Sequence, residues 1–284
     1  MTAGFGSEAD KLIQGAIDLH VHAAPDGFNP RALDFMEAAA QAKAAGYAVV
    51  AIKNHEYCTA PLGLYAQSKV AGIQVFGGLV LNYAVGGINP WAVEAANRQG
   101  GRMIWLPTFS AGNDKSGREM KKGLCLIKGN GELVDGLEEI LEIVKDRGMI
   151  LATGHVSYQE ISKVVDVARE MGLSKILINH PFRPEGPSLN LEQQKSLSAR
   201  GALLEHCAFH FVKKKNPLPL ETLMEGIKSI GIKHCSLSSD LGQVGNPLPV
   251  EGLKLLITRL WAQGMKPQEI RTMLIENPQR VIEA

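Results

Sequence analysis

Several features that would type a chain at once are missing from these 284 residues. There are only 4 cysteines (Cys58, Cys125, Cys207 and Cys235), far apart and without a C-x-x-C pair. That argues against a disulfide framework and suits buried thiols in a reducing cytosol. No apolar run approaches the ~18 residues of a membrane span. The start, MTAGFGSEADKLIQGAID, has neither a basic nor an apolar leader region, and no Asn-x-Ser/Thr sequon occurs. The expected location is therefore cytoplasmic. No charge of one sign dominates: Lys+Arg is 30 and Asp+Glu is 29, a net charge of +1. This disfavours a general nucleic-acid or membrane-surface binder and leaves small molecules as the expected partners, with a homo-oligomer open. A glycine-rich phosphate turn is also lacking. Gly112-x4-Gly117 runs into Arg118-Glu119, and Gly129-x-Gly131 does not continue in the dinucleotide pattern. What is plentiful is glycine, at 30, and histidine, at 8.

Short apolar runs alternate with helical patterns along the whole chain. The candidate strands are 16–22, 48–55, 73–82, 102–107, 150–155, 175–181, 202–207 and 235–240. Their spacing is that of strand–crossover–helix units, and their continuous apolar character fits strands buried on both faces. Between them, 30–46 opens with Pro30 and closes with Gly46, the asymmetry of a helix start and stop. Ser157 with Glu160 predicts a capping box, and 218–230 and 250–263 carry helical periodicity. Asn89-Pro90 reads as a further helix start. Eight such units predict an α/β fold, a distorted (β/α)8 barrel of one domain spanning 1–284. A doubly wound sheet is the alternative. The widest spacing follows the fourth strand, where 108–135 holds LCLIKGNGELV, a hairpin turning at Gly129-Asn130-Gly131. This insertion is either a surface excursion or a lid.

Six of the eight histidines fall at or just after predicted strand ends: His20, His22, His55, His155, His180 and His206. Asp240 closes the last run, and Glu205 precedes His206. In a parallel barrel these ends share one mouth. Residues two apart on a strand point the same way, so His20 and His22 aim at one point. Paired imidazoles with a carboxylate suit a divalent ion, Zn2+ first, with Mn, Fe or Ni as alternatives. Such an ion lowers the pKa of its water to roughly 7. Asp240 then reads as ligand, proton acceptor, or both. His210 and His234 read as structural.

The order HxH in IDLHVH, then His155 in ATGHVS, His180 in INHP, Asp240 in SSD and a terminal ENPQRVI resembles the metal-dependent amidohydrolase superfamily over residues 16–282. The resemblance implies a (β/α)8 barrel, one or two divalent metals, and hydrolysis at a carbonyl or phosphorus centre. It implies ligand roles for His20, His22 and His155, a second-metal or substrate role for His180, and a ligand and base role for Asp240. The substrate class it implies is an amide, cyclic amide or lactone. Decarboxylation, known in the superfamily, is an alternative, as is a binding protein without activity. The fourth run ends WLPTFS, lacking the bridging Lys or Glu usual in binuclear members. Lys53, in phase with His55, is either a structural lysine paired with Asp18 or Glu56, or lies by the metal, carbamylated or not. HVHAAPDG…AIKNHE also resembles the start of the PHP phosphoesterases. Lys53-Asn54-His55 replaces their Asp-His, however, and Asp240-Leu241-Gly242 replaces their closing Asp-x-His.

Basic residues gather in the loops on the mouth side. They are Lys115, Arg118, Lys121, Lys122 and Lys128 against Glu119, then Arg183, then Lys213 to Lys215. They form either a solvated rim or a guide for an anionic substrate, with Arg183 as a contact.

Overall fold

The computed structural model describes residues 3–116 and 123–284. Nine strands follow one another among these residues. They are β1 (Ile17–His22), β2 (Val49–Lys53), β3 (Gln74–Phe76), β4 (Gly78–Val80), β5 (Met103–Trp105), β6 (Ile150–Ala152), β7 (Ile176–Asn179), β8 (Leu203–Cys207) and β9 (Cys235–Ser238). The chain folds into two compact units that take turns along the sequence. The first comprises Met1–Lys53, Leu62–Phe76 and His206–Arg280, and the second Asn54–Pro61, Gly77–Glu205 and Val281–Ala284.

In the first unit β1, β2 and β3 pair in parallel. The segment leaving β9 runs beside β1, since Asp240 N–H donates to His20 O at 2.7 Å and His22 N–H to Leu241 O at 2.9 Å. Every residue of β1 and β2 is buried, the continuous apolar pattern expected of strands covered on both faces. The helix Pro249–Ala262 buries Leu253, Leu256, Ile257 and Leu260, the three- and four-residue spacing of one helical stripe. At the C-terminus Asn277 donates to Ile232 O at 2.7 Å and Cys235 O at 2.6 Å, so the Asn-Pro-x-Arg ending ties the last helix to the start of β9.

In the second unit β4 to β8 pair in parallel in chain order. The helices Leu137–Asp146 and Tyr158–Glu170 each turn a fully buried stripe inward: Leu137, Ile140, Leu141 and Val144, then Ile161, Val164, Val165 and Ala168. Ser157 and Glu160 form the capping box read from the sequence, and Asn89 caps the helix Pro90–Arg98. The hairpin at 127–133 is present too, with Ile127 bridged to Leu133 and Gly131 at φ +84°.

Two expectations need correction. The helix placed from Pro30 begins at Phe35, because the Asp34 carboxylate accepts the Glu37 N–H and Glu37 returns the bond. Residues 30–33 pair with other loops instead, Ala32 N–H donating to Gly242 O. The third run splits into β3 and β4 at Gly77-Gly78. A Cβ on Gly78 would lie 1.9 Å from Met103 O, so the chain packs there as bare backbone.

Candidate functional site

In the first unit β1 carries His20 and His22 on one face, and the turn after β9 carries Asp240. Asp240 sits in the left-handed region at φ +53°, a conformation worth about 1–3 kcal/mol of strain. One carboxylate oxygen, Oδ1, lies 3.0 Å from His22 Nε2 and 3.3 Å from His20 Nε2, and all three residues are buried. The other oxygen, Oδ2, lies 3.7 Å from His210 Nε2. Lys53, its side chain fully buried, places Nζ 3.2 Å from His20 Nε2. Lys53 thus faces a candidate ligand, as the second of its two sequence readings has it. Cys207 Sγ is 3.8 Å from His20 Nδ1. Burial, then the Arg31 guanidinium, push the His22 imidazole down to about 3, so it is neutral at physiological pH. Two imidazole nitrogens and a carboxylate oxygen, converging among buried residues, are a donor set that fits a divalent ion.

The frame behind these groups is specific. Asp18 Oδ1 accepts the N–H of His20 at 3.1 Å and of Ser239 at 3.0 Å, pinning β1 to β9 beside the candidate ligands. Arg31, paired with Asp26 at 2.6 Å, stands 3.5 Å from His22 Nδ1. Gly242 has φ +130°, and a Cβ there would lie 1.7 Å from His22 O. A histidine therefore has no room two residues after Asp240, which removes the Asp-x-His pattern of the PHP resemblance. His206 is buried in the same unit, and His234 stands apart from the cluster at the edge of β9.

The second unit gathers another set. His55 Nδ1 is 2.8 Å from Thr108 Oγ1, and Asn82 donates to both Thr108 Oγ1 and His55 O. His155 Nδ1 is 2.6 Å from Asp114 Oδ2, and Arg183 Nη1 is 2.9 Å from His155 Nε2. Arg183 Nη2 also donates to Asp114 Oδ2 at 3.2 Å. The His180 ring centroid lies 5.0 Å from that of His155, the rings tilted by 57°, with His180 at φ +29°. Phe109 packs between His55 and His155, at 4.1 and 5.4 Å. Glu205 accepts from Asn179 Nδ2 at 2.7 Å.

Sequence reasoning missed three of these groups. Asp114 lies in the insertion, outside every strand run. His210 follows β8 in a one-turn helix and was read as structural. Asp18 was weighed only as a partner for Lys53. The single available signal was polarity just past a strand end, in Ser110-Ala111-Gly112-Asn113-Asp114. The basic rim is partly spent on acids: Lys128 pairs with Asp135 at 2.7 Å, and Arg183 with Asp114. Lys213 lies 5.4 Å over the Phe209 ring. Arg118, Glu119, Lys121 and Lys122 fall outside the described residues. None of the four cysteines is in a disulfide, Cys207 and Cys235 are buried, and Cys125 is exposed.

The family model described as "Family of unknown function (DUF6282)" matches residues 15–205. No curated protein matches the chain. Among solved structures, a probable dipeptidase, PvdM, from Pseudomonas aeruginosa is similar at a TM-score of 0.71 and 12% identity, covering 99% of this chain and 98% of that one. An amidohydrolase from the same organism is similar at 0.64 and 14%, covering 98% of each chain. A lactonase template engineered toward organophosphate hydrolysis is similar at 0.60 and 15%, covering 96% and 97%. At these identities the likeness shows the fold alone, a (β/α)8 barrel.

Proposed function

The chain belongs to DUF6282, a family of unknown function, and from that premise we propose that it is a metal-dependent hydrolase of the amidohydrolase type acting on a small molecule. One observation carries the reading. Two imidazole nitrogens, His20 Nε2 and His22 Nε2, converge on a single oxygen of Asp240, all three residues being buried. These three residues would hold a divalent cation, zinc first among candidates. When bound, the cation supplies Lewis acidity and an acidified water. His155 and His180 enter the proposal as ligands or substrate contacts on their motif order alone, and Lys53, His55, Glu205, His206 and Arg183 as further contacts.

The chain's own residues supply the rest. Asp240 would take a proton from the attacking water at the carboxylate oxygen not engaged with the cation and return it to the leaving nitrogen or oxygen. Its strained backbone is held by Gln243 Nε2, which donates to Asp240 O at 2.9 Å. Lys53 places Nζ beside His20, where it would serve as a hydrogen-bond donor to an electron-rich carbonyl oxygen. The substrate class proposed is an amide, cyclic amide or lactone. The fold is shared with a dipeptidase, whose name denotes amide cleavage, and with a lactonase. The absence of disulfides among the described residues suits the reducing cytoplasm proposed for it.

Metal analysis of the purified, reconstituted chain tests this. About one or two equivalents of a divalent metal are expected, and less than about a tenth of an equivalent sinks the reading. Asp240→Asn should keep the fold and lower kcat on an amide and lactone panel by roughly 100-fold or more. Full activity in that variant removes Asp240 from proton transfer. Release of CO2 from an aromatic acid instead of hydrolysis would redirect the assignment to decarboxylation.

A further inference from the structure

The insertion after β5 brings a carboxylate into the second unit. Asp114 and His155 are each 2% exposed at the side chain, and their contact is 2.6 Å. Each oxygen of Asp114 has its own work. Oδ1 takes the N–H and hydroxyl of Ser116, which shapes the local turn. Oδ2 faces both His155 Nδ1 and Arg183 Nη2. The neighbouring Asn113 donates from Nδ2 to His155 O at 3.1 Å and Gly186 O at 2.8 Å. Lys115 N–H donates to Glu185 O at 2.8 Å. The segment is thus fastened on both sides of Asp114, and Leu126, further along it, is fully buried with its N–H on Glu160.

The protonation pattern of His155 follows from its partners. Arginine donates hydrogen bonds and has no acceptor. Arg183 Nη1 at 2.9 Å therefore requires a lone pair on His155 Nε2. The ring proton must sit on Nδ1, where the Asp114 carboxylate accepts it. Both neighbours select the same neutral form. That form puts the ring's electron pair on Nε2, where it accepts the Arg183 N–H; a cation would take this lone pair only with Arg183 displaced from it.

We propose that Asp114 is a positioning residue that locks His155 as the neutral Nδ1–H tautomer, and that delivering this carboxylate is the work of the 108–135 insertion. The use made of the Nε2 lone pair rests on the proposed metal role of His155; the tautomer does not.

Nitrogen NMR of the full chain labelled with 15N-histidine tests it, with His155 assigned by its loss in His155→Gln. The wild type should show His155 in the Nδ1–H form alone, and an Nε2–H signal there overturns the proposal without any further variant. In Asp114→Ala, which also removes the ion pair that holds Arg183 against Nε2, more than half of the His155 signal should move to the Nε2–H form. In Asp114→Asn, which keeps an oxygen acceptor, the Nδ1–H form should return. A tautomer unmoved in Asp114→Ala overturns the proposal. Titration with Zn2+ alone separates this from the functional reading: affinity should fall about 10- to 100-fold in Asp114→Ala and recover in Asp114→Asn. If the tautomer shifts while Zn2+ affinity holds, Asp114 keeps its positioning role and His155 loses the ligand role.

Discussion

Replacing Gly242 by alanine probes the geometry of the candidate metal centre without touching any candidate ligand. The added Cβ would lie 1.7 Å from His22 O and 2.7 Å from His22 C, both backbone atoms that no rotamer change can move. To regain ordinary van der Waals contact, the turn after β9 and the end of β1 must part by about 1.5 Å. Alanine at φ +130° adds strain of order 1–3 kcal/mol. Parting also breaks the bond from His22 N–H to Leu241 O, for about 1 kcal/mol more. Together these amount to about 2–4 kcal/mol, or a fall in Tm of roughly 4–16 °C for a chain of this size. His22 Nε2 and Asp240 Oδ1 are drawn apart by the same movement, so Zn2+ affinity should fall at least about tenfold. Thermal unfolding with and without Zn2+, together with a metal titration, reads both effects. A variant within about 1 °C of wild type and of equal affinity would refute the reasoning, because the close approach of residue 242 to His22 could not then exist.

Three further substitutions, at two positions, test the supports within each unit. Glu160→Ala removes the acceptor for Ser157 N–H, Ser157 Oγ–H and Leu126 N–H, and should cost about 1–3 kcal/mol. Amide exchange at Leu126 should accelerate at least tenfold, and unchanged protection would show that the hairpin is held by something else. Asn277→Ala leaves the carbonyls of Ile232 and Cys235 without their donor and should cost about 2–3 kcal/mol in a denaturant titration. Asn277→Asp, which sets a carboxylate against the same carbonyls, should be at least as damaging; a near-neutral Asp would contradict the assigned donor.

Much of this was legible in the residues because it depended on local rules. Strand burial on both faces appears as unbroken apolar runs, and the Ser157–Glu160 box appears as two residues three apart. The pairing of His20 with His22 needs only the alternation of a strand. What escaped was decided by approach in space. Asp114 belongs to a loop whose sequence has no periodicity, and only the folded second unit brings it to His155. His210 sits one residue inside a short helix, where no pattern aims it at Asp240. Lys53 was ambiguous because its neighbours in sequence, Asn54 and Glu56, are not the group its ammonium faces. The start of the helix at Phe35 was misplaced because Pro30 is an acceptable first residue and only the Asp34–Glu37 exchange decides against it.

The first unit draws on both ends of the chain, and this sets an order of events during synthesis. The second unit's strands β4 to β7 emerge in sequence, each beside the one before. His22 and Asp240, in contact in the finished fold, are 218 residues apart. At ~5–20 residues per second, β1 leaves the ribosome about 10–40 s before Asp240 has been made. For that time the strand IDLHVH has no β9 to lie against, and its two imidazoles are open to any thiophilic or borderline metal in solution. Under the proposed metal role, metallation becomes a question of timing as well as affinity: an ion that first reaches His20 and His22 would meet two imidazoles, and the Asp240 carboxylate would arrive last.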